Sequence, residues 1–200
     1  SIAYFNITVV DEVPTFSYSP DDIILTNNTA SSDFPLAPTL TGAGVITSWE
    51  INASLPSGVS FGSNNGTIYG TPTELWTQTA YLVWGNNSGG ATVAYLNITV
   101  VDQVPAISYS PANLILTNNT NSTHFPLAPT LTGPGDIVTW EMAGILPNGI
   151  NFGNDNGTFW GKPTQLLNQT QSTVWANNTG GSAITYLNIT VVDQLPLISY

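Results

Sequence analysis

The sequence has no cysteine, one basic side chain and one histidine, and each scarcity removes a class of function. Without cysteine there is no disulfide framework and no thiol nucleophile, so stability has to come from core size and from neighbouring domains. One Lys+Arg against twelve Asp+Glu gives a formal charge of −11, which offers no electrostatic footprint to nucleic acid or to an anionic membrane. Lys162 is the only side-chain amine, too solitary for an intramolecular isopeptide bond in every domain. His124 alone would have to serve any Ser/His/Asp arrangement. No apolar run approaches the roughly eighteen residues that span a bilayer. A signal peptide is also missing, and the chain opens with Ser1 in mid-pattern, so it reads as a window from something longer.

What is present is a repeat. Ile7-Thr8-Val9-Val10-Asp11 returns as Ile98 to Asp102 and again as Ile189 to Asp193, at an offset of 91 residues both times. Phe34 to Gly42 matches Phe125 to Gly133, and Asn86-Asn87-Ser88-Gly89-Gly90 matches Asn177 to Gly181, all without insertion or deletion. A period of 91 is too long for a solenoid unit and is the size of a small domain. The expected division is residues 1–12 as the closing strand of a preceding repeat plus linker, 13–102 and 103–193 as two repeats, and 194–200 as the opening of another.

The repeat is β. With 42% apolar and 10% aromatic residues the chain has ample core to fold despite its 6% charge. Pro and Gly punctuate it about every ten residues, and no stretch keeps a 3.6-residue apolar period. Val93 to Val101 alternates, which places Leu96, Ile98 and Val100 inward and Tyr95, Asn97 and Thr99 outward. Phe5, Ile7 and Val9, and Leu187, Ile189 and Val191, are expected inward by the same pattern. Asn65-Gly66 and Asn156-Gly157 read as tight turns that need a positive φ. Some seven short strands per repeat fit an all-β, immunoglobulin-like sandwich. The linkers, two or three residues containing Pro14, Pro105 or Pro196, are short and stiff.

Ser108-Tyr109-Ser110-Pro111, Pro129 to Gly133, Leu55 to Phe61 with Gly66 to Thr73, Asn87 to Gly90 and Leu96 to Val100 carry a resemblance in their order and spacing. The chain resembles the tandem immunoglobulin-like, cadherin-like repeats of large bacterial and archaeal surface proteins. Only Lys162, where the first copy has Thr71, departs from the pattern. The resemblance implies an extracellular sandwich and a stalk, adhesin or accessory role, with no shared chemistry.

Sequons are the main functional signal. Asn-x-Ser/Thr occurs at Asn6, Asn27, Asn52, Asn65, Asn86, Asn97, Asn118, Asn121, Asn156, Asn168, Asn177 and Asn188. With 21 asparagines and Ser plus Thr at 22%, chance gives about five. The plain reading is that Asn, Thr and Gly are turn and strand-surface residues. N-linked glycans would instead hydrate a surface with little charge, and this density points to an archaeal source.

Catalysis finds no such support. His124 replaces Asp33 of the first copy, and Asp21-Asp22 becomes Ala112-Asn113, so neither belongs to the repeating unit. The acids that recur are Glu50/Glu141 and the linker series Asp11, Asp102 and Asp193. The linker aspartates are weak Ca²⁺ candidates, since six to eight oxygen ligands are needed and Glu12 becomes Gln103 and Gln194. Capping of linker N–H groups is the simpler role. Trp49/Trp140 and Trp84/Trp175 recur as well. Packing explains them, although Trp84 falls outward beside Asn86, where that residue's own glycan would cover it. The expected partners are adjacent copies of the repeat and N-linked glycans, in a non-enzymatic extracellular filament, stalk or adhesin shaft. The alternative is an accessory carbohydrate-binding module of a secreted enzyme.

Overall fold

The structure is a computed structural model that describes residues 3–196. It divides into two compact units, Ser1–Val101 and Asp102–Tyr200. The described residues form strands and no helix. No helix among them is long and apolar enough to cross a membrane.

The first unit contains β1 (Phe16–Ser17), β2 (Asp22–Thr26), β3 (Thr39–Leu40), β4 (Ser48–Ile51), β5 (Val59–Phe61), β6 (Ile68–Gly70), β7 (Trp76–Asn87) and β8 (Gly90–Val101). Its main sheet has the order β2-β8-β7-β4, with β2 parallel to β8 and the other pairs antiparallel. The facing layer is made of two short ladders, β1-β3 and β5-β6. Leu36 and Ile68 join these ladders by exchanging two backbone hydrogen bonds of 2.8 and 2.9 Å. The second unit repeats the plan with β9 (Ile107–Ser108), β10 (Asn113–Thr117), β11 (Thr130–Leu131), β12 (Thr139–Ala143), β13 (Ile150–Phe152), β14 (Phe159–Gly161), β15 (Leu167–Asn178) and β16 (Gly181–Val192). Its main sheet runs β10-β16-β15-β12, and Leu127 bridges to Phe159.

Each unit is an immunoglobulin-like sandwich closed over its own core. Leu96, Ile98 and Val100 are buried against Ile23, Leu25, Tyr81 and Val83, and Leu187, Ile189 and Val191 are buried likewise. Trp49 packs edge-on to Phe16 with ring centres 4.7 Å apart. Tyr18 is buried and donates its hydroxyl to the Gly66 carbonyl at 2.6 Å; Tyr109 donates to the Gly157 carbonyl. Tyr109 thus ties the segment after β9 to the turn between β13 and β14, and Tyr18 ties the segment after β1 to the turn between β5 and β6.

That turn is wider than the Asn-Gly pair suggested. Gly62 N–H donates to the Thr67 carbonyl at 2.8 Å, so four residues bridge the ladder. Gly66 (φ +70°) takes the left-handed conformation, whereas Asn65 does not. A Cβ on Gly66 would lie 2.6 Å from the Trp49 ring, so close packing demands glycine there as much as φ does.

One expectation fails. Phe5, Ile7 and Val9 are exposed (74–89%) and residues 3–13 form no strand. The equivalent positions in β8 are covered by β2 on one side and β7 on the other, and no strand pairs with 3–13. Their alternation is intact, but nothing covers it. The expected opening of a further repeat at 194–200 lies partly outside the described residues.

Candidate functional site

Two places gather the sequence-predicted residues: the turn between the long strands of each main sheet, and the outer face of that sheet.

The β7–β8 turn holds the residues before Pro14. Asp11 N–H donates to Ser88 Oγ at 3.0 Å, and the Ser88 hydroxyl donates back to the Asp11 carboxylate at 2.6 Å. Asn87 Nδ2 donates to the Glu12 carbonyl at 2.6 Å, while its Oδ1 accepts the Gly89 and Gly90 N–H groups. In the second unit Asp102 N–H donates to Thr179 Oγ1 at 2.9 Å, and Asn178 Nδ2 donates to the Gln103 carbonyl at 2.6 Å. The Asp102 carboxylate accepts N–H groups from Gln103 (2.8 Å) and Asp136 (3.2 Å). Asp193 Oδ1 accepts the Gln194 N–H at 2.9 Å. The linker aspartates thus spend their oxygens on backbone N–H groups or a hydroxyl. No three His, Cys, Asp or Glu side chains come together among the described residues. Sequence reasoning missed Asn87/Asn178 and Ser88/Thr179 as clamp residues. Their signal was present, because the Asn-Asn-Ser/Thr-Gly-Gly string recurs in step with the linker aspartate.

On the outer face of the main sheet, Glu50 pairs with Trp84 and Trp84 with Val93; Ser48 pairs with Asn86, and Leu82 with Tyr95. Asn86 Nδ2 donates to Glu50 Oε1 and Ser48 Oγ, both at 3.4 Å. The second unit is tighter: Asn177 Nδ2 donates to Glu141 Oε1 at 3.0 Å and Thr139 Oγ1 at 3.2 Å. Thr139, Glu141, Trp175, Asn177 and Ser182 line a shallow, open depression. Trp84 is half-buried and outward beside Asn86, whereas Trp49 and Trp140 belong to the cores.

The other sequons scatter. Asn97 and Asn188 are half-buried on the outer faces of β8 and β16, and Asn188 Nδ2 donates to Asn113 Oδ1 at 2.7 Å. Asn52, Asn65, Asn121, Asn156 and Asn168 are exposed, and Asn27 and Asn118 are half-buried beyond the ends of β2 and β10. Asn65 and Asn156 each accept the N–H of the threonine two residues on, at 3.0 Å, which employs the carbonyl oxygen of the side chain and not its nitrogen. Asn6 is exposed in the unpaired segment. His124 and Lys162 are exposed as well. The His124 backbone N–H donates to Ser122 Oγ at 3.1 Å, as that of Asp33 does to Ser31 Oγ, so the loop keeps this backbone bond with either side chain; in the first unit the Ser31 hydroxyl also donates to the Asp33 carboxylate at 3.5 Å.

Residues 13–101 match the family described as "Putative Ig domain". Part of the "Serine-rich adhesin for platelets" of Staphylococcus aureus (strain USA300) is 28% identical over 155 residues, which is 76% of this chain and 7% of that protein. The chain therefore spans only a small part of that relative. Extracellular domains 3–5 of Drosophila OTK share the fold, with a TM-score of 0.51 at 15% identity, covering 90% of this chain and 62% of that one. Human protocadherin-24 EC1-2 aligns over 94% of this chain and 100% of that one at 12% identity and a TM-score of 0.37. The resemblance to immunoglobulin-like repeats holds: the family model covers the first unit, and the fold is shared with immunoglobulin-like extracellular domains.

Proposed function

We propose that this chain is a segment of a stiff, N-glycosylated extracellular shaft, a stalk or adhesin stem whose partners are further copies of the same repeat. The carrying observation is the clamp at the β7–β8 turn. There, and at the equivalent β15–β16 turn of the second unit, it binds the residues that lead into the sandwich, and β8 ends at Val101 while Asp102 is already hydrogen-bonded within the second unit. The linker that follows is short and contains Pro105, which is the sequence feature that supports stiffness. A gap-free 91-residue offset repeats the same joint at each step. Strands of about ten residues at roughly 3.3 Å each set a rise near 35–45 Å per domain. The adhesin relative supports a cell-surface setting, and the sequons supply glycans that solvate it. The archaeal source suggested by sequon density belongs to this proposal; the adhesin relative is bacterial.

Small-angle scattering on chains with increasing repeat number tests the shaft. The maximum dimension should grow linearly with copy number, and growth as its square root would reject it. Intact mass of natively sourced protein tests glycosylation, since an unmodified 21.2 kDa segment would reject that part. The outward Trp84 beside Glu50 favours one second reading, a carbohydrate-binding module. Binding of free oligosaccharide by unglycosylated chain would establish it.

A further inference from the structure

The outer face of each main sheet is an apolar strip bounded by sequons. In the first unit the strip is Trp84 and Leu82 on β7 against Val93 and Tyr95 on β8, with Asn86 at one end and Asn97 at the other. Tyr95 is 68% exposed and Val93 38%. In the second unit Trp175 lies opposite Ile184, and Tyr186 opposite Thr173, between Asn177 and Asn188. Ile184 is 53% exposed and Tyr186 52%.

The aromatics have a fixed place relative to the sequons. Trp84 precedes Asn86 by two residues, Tyr95 precedes Asn97, Trp175 precedes Asn177, and Tyr186 precedes Asn188. Tyr4 precedes Asn6 in the same way. None of the other seven sequons has an aromatic two residues upstream. In a strand, residues i and i−2 point to one face about 6.6–7 Å apart, within the span of one sugar ring. The aromatic therefore lies where the first sugar on its sequon would fall, and a ring face is a suitable surface for the C–H face of a pyranose.

We infer that Asn86, Asn97, Asn177 and Asn188 carry N-linked saccharides whose first sugars lie flat on Trp84, Tyr95, Trp175 and Tyr186, so that the chain's own glycans cover the exposed apolar strip. This rests on the glycosylated-shaft reading and assigns four of its sites and what they do. Attachment forms a bond from Asn Nδ2 to the sugar C1 and breaks the C1–oxygen bond of an activated, lipid-linked glycosyl phosphate; the amide loses one proton and the lipid phosphate leaves. A transferase of the secretory machinery supplies that donor. Each substituted amide keeps one hydrogen. Asn177 can thus retain its bond to Glu141 or to Thr139, and Asn188 its bond to Asn113. Glu50 and Glu141, opposite the tryptophans, are placed to accept a sugar hydroxyl.

The test uses the full chain made in a host with N-glycosylation. Glycopeptide mass spectrometry reads occupancy at the four asparagines. Denaturation midpoints are then measured for Trp84→Ala, Asn86→Gln and the double variant, with Tyr95→Ala and Asn97→Gln as a second cycle. Stacking predicts that Trp84→Ala lowers the midpoint further when Asn86 carries its sugar than in the Asn86→Gln background. Should Trp84→Ala fail to fold, nuclear Overhauser contacts between sugar methine protons and the indole of the unmutated glycoprotein give the answer. Occupied sites with no coupling and no contacts overturn the inference and leave the glycosylated shaft standing. Four unoccupied asparagines overturn the inference and remove these sites from that reading. Free oligosaccharide shielding Trp84 in the unglycosylated chain would reassign the strip to an external ligand.

Discussion

Ser172 stands where the first unit has Tyr81, and the exchange alters the chemistry of the core. Tyr81 is buried, yet its hydroxyl donates to the Ser54 carbonyl at 3.2 Å. Ser172 is fully buried and its hydroxyl has no partner. The second unit refills the lost volume with Phe159 for Ile68 and Met142 for Ile51, which restores packing but not a hydrogen bond. A buried, unpaired hydroxyl costs about 1–3 kcal/mol, so Ser172→Ala is expected to stabilise the second unit by about 1 kcal/mol. A higher urea midpoint would show it, and a lower one would mean the hydroxyl has a partner after all. Tyr18 and Tyr109 present the opposite case, buried phenols bonded to turn carbonyls. Burial pushes both well above the usual tyrosine value of 10.0. Unfolding therefore releases protons once the pH passes that value, and the unfolded state is favoured. Stability should be flat below pH 10 and fall above it, at up to about 1.4 kcal/mol per pH unit for each tyrosine. Urea melts from pH 8 upward check this, and Tyr18→Phe should lessen the fall for the first unit without abolishing it, because burial raises Tyr81 there as well.

At the scale of the element, β8 was legible and β2 was not. Val93 to Val101 alternates because one face of β8 is core and the other is solvent, and the structure buries Leu96, Ile98 and Val100 as that pattern requires. β2 reads Ile23-Ile24-Leu25, three apolar residues with no alternation. Yet Ile23 and Leu25 are 1% exposed and Ile24 is 67% exposed. Its parallel pairing with β8 joins residues more than seventy apart, and periodicity carries no record of that. β7 was half legible, since Thr77-Gln78-Thr79 coincides with a register shift between Trp76 and Thr79 that interrupts the alternation. The pairing of Phe16 with Gly85 shows coupling that one sequence conceals. A Cβ on Gly85 would lie 2.9 Å from the Phe16 ring, and where the second unit has the smaller Ile107 it also has Ala176. These contrasts give a direct comparison. Ile23→Ala is expected to cost roughly 2–5 kcal/mol, whereas Ile24→Thr, on the outer face of the same strand, should stay within about 0.5 kcal/mol. Denaturation of both variants decides it, and equal losses would mean that the register of β2 is wrong.

Over the whole molecule, one alternating string stands both with and without covering strands. Tyr4-Phe5-Asn6-Ile7-Thr8-Val9-Val10 differs from Tyr95 to Val101 at a single position, Phe5 for Leu96. The second copy is a central strand and the first is exposed. Alternation encodes which face could be buried, while the covering strands determine whether it is. Site residues follow the same logic: sequons are legible as strings, but only the sheet register sets Trp84 and Tyr95 between two of them. Charge operates at this scale too. One cation cannot neutralise twelve carboxylates, and the folded units hold those charges closer together than the unfolded chain does. Raising the ionic strength from about 0.01 to 0.15 M shortens the Debye length from roughly 30 to 8 Å and screens that repulsion. A protein stabilised by surface ion pairs would lose stability in salt. This one is expected to gain, by less than about 1 kcal/mol, because repulsion is nearly all there is to screen. Thermal melts at the two salt concentrations measure the sign. A lower midpoint in salt would show that Lys162 or His124 makes a stabilising ion pair that outweighs the repulsion among the acids.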